Sequence, residues 1–396
     1  MSNRATSKFA ELDWGLLSLI LMILGFGLVM LTSASISVAE NSMGQPFYYL
    51  VQQLLAVFVG VLVASVVLNT PTDIWQRSAP VLFLLAVLLL LAVLVPGVGR
   101  EVNGSTRWIS VAGINIQVSE PARLMVLMFI SSYAVRHRDD FALSVKAFIQ
   151  PMILIAIVCG LLIAEPDFGA TFVILLISMS VLFVAGVPIR YFIGLCIFVA
   201  VGMTALAVSA PYRLARLTGF TNPWDDPFGS GFQLTQSLIA IGSGEWLGAG
   251  LGNSVQKLFY LPEAHTDFVF AVFAEEFGLV GTIILIGLFS ALVWRAFSIA
   301  LDAAARDRFY QAYLAFGIAV WQGAQVFINL GVNMGILPTK GLTLPLISYG
   351  RSSLIVTLAA LALLLRIDME TRGVVASTAL SGKSRKRKSA VGKKRK

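Results

Sequence analysis

One carboxylate lies at the boundary between a polar segment and an apolar one. Asp267 lies in the run PEAHTDF and directly precedes the apolar run FVFAVFAEEFGLVGTIILIGLF. There it can act as a general base, bind a divalent cation or cap the following helix. Glu275 follows eight residues later, on the same helical face and about 12 Å deeper. We therefore expect that face to line a polar cavity.

Two more carboxylates occur where two apolar runs meet with almost no spacer. Glu165 and Asp167 flank Pro166, which breaks the helix. Ionisable groups at this depth usually face a cavity or a charged partner, which predicts contact with a substrate or a cation. A tight helical hairpin with Asp167 as N-cap explains the same residues.

Three cations belong to polar segments of the same kind. Arg107, in NGSTRWI, either anchors its loop among lipid headgroups or binds phosphate through its guanidinium fork. Lys340 and Arg351 flank LTLPLISYG, where they are either interfacial cations or a pair aimed at an anionic headgroup. Pro338 and Pro345 keep this part of the chain irregular, so both cations could converge with Asp267.

The surrounding chain is typical of a polytopic membrane protein. Its 396 residues are 57% hydrophobic and 13% charged, whereas soluble domains average about 25% charged. The apolar runs are continuous and about 20 residues long, which favours helices over a β-barrel. We predict an all-α fold of ten transmembrane helices, at roughly 13–34, 48–68, 78–96, 121–136, 148–164, 168–186, 189–210, 267–296, 309–336 and 347–367. A large extracytoplasmic loop, 211–266, joins helices 7 and 8.

The distribution of cations predicts the orientation. Ten spans place both termini on one side, and 21 of the 29 Lys and Arg residues belong to that side. By the positive-inside rule both termini are cytoplasmic, and 211–266 faces the periplasm. Residues 1–12 form a cytoplasmic N-terminal segment, and 13–367 form the membrane domain. The outer loops are polar, so we expect the chemistry on that side.

The C-terminal segment, 368–396, carries nine cations within its last fourteen residues. We predict a disordered cytoplasmic tail attracted to anionic lipids, in preference to one that binds nucleic acid.

Other metal and nucleotide sites are disfavoured by composition. Cys159 and Cys196 lie inside apolar runs and are interpreted as small hydrophobic residues, and with two histidines no zinc site is expected. The glycine-rich run GSGEWLGAGLG lacks the ending of a P-loop, so its glycines are predicted to permit close packing.

Five motifs occur in order across about 270 residues: NGSTRWI, the SEP near Glu120, EPDFGAT, GSGEWLGAGLGNSVQKLFYLPEAHTDFVFAVFAEEFG and NMGILPTKGLTLPLISYGRSSL. Together they resemble the SEDS family, and PTKGLTLPLISYG is similar to its cell-division branch more than to its elongation branch. The chain departs from the family pattern at Arg351, often a second glycine, and at Arg123, often a lysine.

The resemblance implies a peptidoglycan glycosyltransferase that polymerises lipid II at the division septum of the bacterial inner membrane. It also implies a cognate class B penicillin-binding protein, other divisome membrane proteins, an undecaprenyl-pyrophosphate-linked glycan and a divalent cation, Mg²⁺ or Mn²⁺. The essential acidic residue of the family falls on Asp267 and its PTKG lysine on Lys340. Candidate substrate-binding residues are Lys340, Arg107, Arg351, Glu165, Asp167 and Glu275.

Two other functions compete with this one. Carboxylates at membrane depth would suit a lipid II flippase or transporter, but such proteins usually show repeated halves, and no internal repeat is visible. A scaffold that recruits septal enzymes would leave Asp267 and the polar loop unexplained.

Overall fold

A computed structural model describes residues 12–102, 105–111, 114–141, 143–194, 196–197, 201, 222–229, 231–338 and 341–393, with side chains to Gly373 in the last range. Lys340 therefore lies outside the described residues, and so does most of the predicted seventh span.

The described residues are mostly helical. The helices are α1 Trp14–Met43, α2 Tyr48–Asn69, α3 Thr72–Leu94, α4 Ser119–Arg136, α5 Val145–Ala164, α6 Phe168–Val184, α7 Phe232–Ser243, α8 Val269–Ala304, α9 Phe309–Asn333 and α10 Arg351–Lys393. Within this part of the chain, seven helices are long and apolar enough to cross a membrane: α1, α2, α3, α5, α8, α9 and residues 351–373 of α10. The apolar helix α6 is shorter, and α4 carries three charged residues. This is a polytopic membrane fold.

One segment differs from the all-α prediction. A three-stranded antiparallel sheet forms between α3 and α4, from β1 Gly99–Val102, β2 Ser105–Val111 and β3 Ile114–Gln117. Ser105 pairs with Val102 across a two-residue connection, and Ile109 pairs with Ile116. The sequence signal was present, because that connection is Asn-Gly, which favours a hairpin turn, and β2 is rich in β-branched residues.

The core of the bundle is formed where α4, α6 and α9 meet. Gly317 on α9 lies so close to its neighbours that a Cβ there would come within 2.2 Å of Leu127 on α4 and 3.2 Å of Val181 on α6. Trp321, one turn further along α9, is fully buried. Close approach of these helices orients one face of α9 toward α4.

Ion pairs join the helices at the end of the bundle opposite Asp267. Asp13 caps α1 and pairs with Arg295 of α8 at 2.5 Å. Asp368 of α10 pairs with Arg295 at 3.1 Å and with Arg372 at 2.8 Å. The tenth helix thus continues beyond its predicted end at 367 because charged residues there have partners, and its backbone stays helical to Lys393, where we predicted disorder.

Helix α8 is broken at Gly278, whose φ and ψ are 65° and −164°. A glycine-rich loop supplies the hydrogen bonds that the break removes. Leu279 and Val280 donate their backbone N–H groups to the carbonyls of Glu245 and Trp246, at 2.9 and 3.1 Å. A Cβ at Gly248 would lie 2.2 Å from the Glu276 carbonyl. The prediction of close packing by these glycines agrees with this geometry.

Candidate active site

Asp267 lies two residues before α8 and does not cap it. The N-cap position of α8 is Phe268, and no side chain forms a capping hydrogen bond there. The Asp267 side chain is half-buried, and no described residue donates a hydrogen bond to its carboxylate. The geometry therefore favours a chemical role over the helix-cap interpretation.

Two asparagines of α9 fix the backbone of Asp267. Asn329 and Asn333 donate their side-chain amides to the Asp267 carbonyl at 2.9 and 3.1 Å. Asn329 also donates to the Leu342 carbonyl at 2.7 Å, and Gln325 donates to the Thr343 carbonyl at 2.9 Å. One face of α9 thus holds both Asp267 and the segment that follows the PTKG lysine.

These side-chain amides were not among the functional residues predicted from the sequence. Gln325, Asn329 and Asn333 are spaced four residues apart, so they share one helical face, and all three are buried. Three carboxamides on a single face of an apolar helix are a signal that could have identified them.

The segment 341–343 approaches the carboxylate closely. A Cβ at Gly341 would lie 3.0 Å from Oδ2 of Asp267, so a side chain at this position would crowd the carboxylate. Glycine after the motif lysine therefore keeps the space in front of Asp267 open.

The pKa of Asp267 is raised to about 7, mainly by burial and also by the negative charge of Glu263, while the positive charge of Arg107 opposes the rise. An ordinary aspartate has a pKa of 3.8. A carboxyl group that titrates near neutrality is suited to take up a proton during a reaction.

Arg107 extends from β2 to the hairpin between α5 and α6. Its Nε donates to the Glu165 carbonyl at 3.1 Å, and its Nη2 donates to the Pro166 carbonyl at 2.6 Å and to Ser105 Oγ at 3.1 Å. The sheet thus places a guanidinium close enough to Asp267 to affect its pKa. These bonds use part of the donor capacity of Arg107, which has five N–H groups.

Asp167 and Glu165 differ in their surroundings. Asp167 is the N-cap of α6, accepting from the Ala170 N–H at 3.1 Å, and it also accepts from Ser119 Oγ at 2.9 Å. The hairpin interpretation accounts for it. Glu165 is fully buried, and neither of its carboxylate oxygens has a hydrogen-bond partner in the described structure. Its pKa is raised to about 8, mainly by burial and also by the negative charge of Asp167, while the positive charge of Arg107 opposes the rise.

Glu275 faces a loop, so the expected polar cavity is not what the structure shows on this face. Its buried carboxylate accepts hydrogen bonds from Ser254 Oγ and from the Val255 N–H, the latter at 2.9 Å. The neighbouring Glu276 pairs with Lys257 at 2.7 Å. The loop returns alongside α8 and contacts both carboxylates, which the helical spacing could not reveal. Both oxygens of Glu275 accept hydrogen bonds, whereas Oε2 of Glu276 has no hydrogen-bond partner in the described structure.

Arg351 begins α10 and donates to Gln52 Oε1 of α2 at 3.1 Å. It is half-buried, and no contact with Asp267 is present among the described residues.

A buried ion pair lies below the site. Arg123 pairs with Glu120 at 3.3 Å, donates to Gln325 at 3.2 Å and lies over the Trp321 ring at 5.2 Å. Gln325 also holds the 343 carbonyl, so the pair is connected to the segment beside Asp267. Arginine can make these several contacts at once through its planar fork, which supports its presence where the family often has lysine.

The described residues contain no group of three or more His, Cys, Asp or Glu side chains that could hold a metal ion. Asp267 is the carboxylate available at the site, with Glu263 near enough to affect it. Mg²⁺ is commonly held by one or two carboxylates together with substrate phosphates. The residues present therefore fit a cation shared with a phosphorylated substrate.

Comparison with known proteins identifies the family of this chain. A family model described as "Cell cycle protein", for FtsW, RodA and SpoVE, matches residues 14–373. A relative from Thioalkalivibrio sulfidiphilus (strain HL-EbGR7), named "Probable peptidoglycan glycosyltransferase FtsW", is 51% identical over 365 residues, which cover 91% of this chain and 90% of the relative. A relative of the same name from Coxiella burnetii (strain RSA 493 / Nine Mile phase I) is 47% identical and covers 94% and 100% of the two chains.

Two solved structures share the fold. One, which concerns the structural coordination of polymerization and crosslinking by a peptidoglycan synthase complex, has a TM-score of 0.77 at 33% identity and covers 91% of this chain and 98% of that one. The rod shape determining protein RodA of Thermus thermophilus has a TM-score of 0.66 at 33% identity and covers 90% and 96%. With its motifs, its fold and a match over nearly its whole membrane region, this chain belongs to the FtsW, RodA and SpoVE family of cell cycle proteins.

Proposed function

We propose that this chain is a peptidoglycan glycosyltransferase of the FtsW type, which polymerises lipid II into glycan strands. The observation that carries the proposal is Asp267, a half-buried carboxyl group with a pKa of about 7 that caps no helix. The names of the relatives support the same activity.

Asp267 acts as the general base in this proposal. It accepts the proton of the 4-hydroxyl of the acceptor sugar as that oxygen attacks the anomeric carbon of the donor. The bond from this carbon to the lipid pyrophosphate breaks, and the α-linked donor becomes a β-linked product in one inversion. A positioned base typically contributes about 10²–10⁴-fold to the rate.

Positive charge must then be available for the departing pyrophosphate. Arg107 supports this role because its guanidinium lies near Asp267 and guanidinium groups bind phosphate well. We keep Lys340 and Arg351 as candidate contacts for the headgroup, although Lys340 lies outside the described residues. In the alternative role, Asp267 would instead hold a divalent cation, Mg²⁺ or Mn²⁺, which would supply further positive charge when bound.

An apolar groove beside the site suits a polyprenyl tail. It has a volume of about 340 Å³, lies between α6 and α9, and is lined by residues that include Phe172, Phe327 and Leu342. The Leu342 carbonyl is held by Asn329, which also holds Asp267. A tail in this groove would bring its pyrophosphate toward Asp267.

The membrane arrangement is also a proposal. We infer ten spans in the inner membrane, with both termini cytoplasmic, the 211–266 loop periplasmic and the enzyme at the division site. The distribution of cations supports this orientation. The basic tail would contact anionic lipids.

A class B penicillin-binding protein is the proposed partner, supported by the similarity to a chain of a peptidoglycan synthase complex. Other divisome membrane proteins would complete the assembly. The flippase and scaffold alternatives predict no glycan synthesis by the purified protein.

The decisive experiment compares wild type with Asp267→Asn in the presence of the partner, whose own active sites are disabled. Lipid II in detergent is the substrate, and glycan products are resolved on a gel. Asn removes the basicity with little change in shape, so polymerisation should fall by about 10²-fold or more. Asp267→Glu should also be slow, because a shift of about 1 Å can cost about 10²-fold.

Partner binding serves as a control and should be unchanged in Asp267→Asn. Its unfolding temperature should be no lower than that of wild type, because Asn removes a buried carboxyl group whose pKa is raised. If that variant polymerised lipid II at nearly the wild-type rate, Asp267 would not be the base. Wild type that makes no glycan, with the same folding and partner binding, would favour the flippase or the scaffold.

A further inference from the structure

The large outer loop contains a surface that is unusual for a segment in water. Between α7 and Asp267, many apolar side chains are exposed, including Trp246 and Leu247 at 71% and 79%. The exposed apolar residues of this segment include Trp246, Leu247, Leu251, Val255, Leu258 and Phe259. Contiguous apolar surface of this kind marks a membrane or protein contact.

The lengths of helices α1 and α8 give the depth of this surface in the membrane. Exposed Trp14 and Trp294 flank the Asp13–Arg295 ion pair, and because tryptophan is typical of a membrane interface we assign this ion pair to one membrane edge. We assign the contact between Ser33 of α1 and Glu276 of α8, at 2.6 Å, to the other edge. Along α1, Ser33 lies 20 residues from Asp13, and along α8, Glu276 lies 19 residues from Arg295. Both separations correspond to about 30 Å, which is the thickness of the hydrocarbon core.

The tip of the loop lies below this outer edge. Trp246 accepts a hydrogen bond from Val280 at 3.1 Å, and Glu245 accepts one from Leu279 at 2.9 Å. Leu279 lies about 16 residues from Arg295, or about 24 Å. The tip is therefore about 6 Å inside the hydrocarbon core, beside exposed Val280 and Ile283 of α8.

The flanking segments run to and from this depth. Ser237 of α7 donates to the Asn333 carbonyl at the outer end of α9, at 2.9 Å. Further along, Gly244 packs against Ala274, where a Cβ would lie 2.0 Å from the carbonyl. After the tip, the chain returns to the outer edge at Lys257, which binds Glu276 and Ser33.

The backbone of the returning segment is suited to a medium without water. Such a medium requires irregular backbone to find its partners within the protein. Eight of the eleven N–H groups from Gly248 to Leu258 donate to the protein, namely those of Gly248, Ala249, Gly250, Asn253, Val255, Gln256, Lys257 and Leu258.

We propose that residues 232–260 form a re-entrant hairpin whose tip, at 244–247, inserts among the acyl chains of the membrane leaflet nearest Asp267. The surface is continuous with the lipid-facing side of α8, and phospholipid is therefore its occupant. The hairpin anchors the 263–267 segment outside the hydrocarbon core, on the side where a lipid pyrophosphate would be exposed. This proposal does not depend on the catalytic activity.

One residue opposes insertion. Glu245 is exposed at the tip, and ionisable groups at this depth are costly unless they reach water or a partner. Removing the charge with Glu245→Gln should therefore move the tip deeper.

The test places a nitroxide at the tip and measures its surroundings in liposomes of phosphatidylethanolamine and phosphatidylglycerol. Cys159 and Cys196 are first replaced by alanine, and Leu247→Cys is labelled. Phe228→Cys is the matched control, since Phe228 belongs to the same loop and is 90% exposed. Val280→Cys is the reference for lipid.

The label at 247 should be accessible to oxygen and protected from a nickel chelate, as at 280, whereas the label at 228 should show the reverse. Glu245→Gln should increase the ratio of oxygen to nickel accessibility at 247. Nickel accessibility at 247 equal to that at 228 would overturn the proposal. Protection from both reagents, with or without the partner protein, would also overturn it, because protein would then cover the tip.

A second measurement avoids substitution at 247. Lipids that carry a doxyl group on the acyl chain should quench the fluorescence of Trp246, measured as the difference between wild type and Trp246→Phe. The absence of a difference in quenching between the two proteins would contradict insertion.

Discussion

Asp267 and Arg107 define the chemistry at the scale of single residues. Asp267 must be ionised to accept a proton, and burial raises its pKa from 3.8 to about 7. The rate of polymerisation should therefore increase with pH, with a midpoint near pH 7, because most of the carboxyl group is protonated below that value. Initial rates of glycan synthesis between about pH 5 and pH 9 measure this.

Arg107→Lys serves as the control for the pH profile, because it keeps the positive charge that opposes the shift. Its rising limb should stay close to that of wild type, whereas Arg107→Gln should move the limb to higher pH. A rate that is constant down to about pH 5 would contradict the assignment of Asp267 as the base.

Glu165 predicts a pH-dependent stability. Its pKa is 4.5 for an ordinary side chain and about 8 in the folded protein, mainly because it is buried. The unfolded chain therefore ionises first, and the folded state loses stability as the pH rises from about 4.5 to about 8. Glu165→Gln mimics the protonated form, so it should raise the unfolding temperature near pH 8 and have little effect near pH 4.5.

Unfolding temperatures of the two proteins in detergent across this pH range measure the effect of Glu165. Asp167→Asn is a useful contrast, since Asp167 has hydrogen-bond partners and caps α6. A constant difference between wild type and Glu165→Gln at every pH would show that Glu165 is not buried as a neutral acid.

At the scale of secondary-structure elements, the break in α8 and the loop that packs against it are the main feature. Gly248 has a φ of 81°, and a Cβ there would meet the Glu276 carbonyl at 2.2 Å, whereas Gly252 has a φ of 85° and open space around it. Gly252→Ala adds backbone strain alone, about 1–2 kcal/mol. Gly248→Ala adds the same strain and a clash with backbone, so it should lower the unfolding temperature more.

Thermal unfolding of the purified variants measures this difference. Equal losses for Gly248→Ala and Gly252→Ala would mean that the loop does not pack against the broken helix. Since α8 follows directly from Asp267, Gly248→Ala should also reduce glycan synthesis.

At the scale of the whole molecule, the property to test is the orientation of the protein in the membrane. In a chain whose native cysteines are replaced by alanine, Phe228→Cys should react with an impermeant maleimide in intact spheroplasts. Leu143→Cys lies in the loop between α4 and α5 and is 88% exposed, so it is the matched control. It should react only after lysis, because the positive-inside rule places that loop in the cytoplasm.

Labelling of Leu143→Cys in intact spheroplasts, with Phe228→Cys protected, would reverse the orientation. Labelling of both or of neither in intact spheroplasts would contradict the proposed number of spans between them.

The amino-acid sequence by itself determined the membrane class and the principal candidate for the base. The hydrocarbon core selects continuous apolar runs of about 20 residues, which is why the sequence predicted ten spans. Seven helices of the described residues are long and apolar enough to cross a membrane. Asp267 was identifiable because a carboxylate directly before an apolar run is unusual, and the motifs indicated the family. The Asn-Gly signal for a hairpin was present at β1–β2 in the sequence, although the all-α prediction did not include it.

Tertiary structure alone decided how the other polar residues are used. Asp167 and Glu165 have the same chemistry and lie two positions apart. Asp167 is a satisfied helix cap, whereas Glu165 is buried and has no hydrogen-bond partner among the described residues. Asn329 reaches Asp267 across 62 positions of sequence, and the Lys257–Glu276 pair reaches Ser33 across more than 220. Local periodicity contains no information about such contacts, because they form only when distant helices pack together.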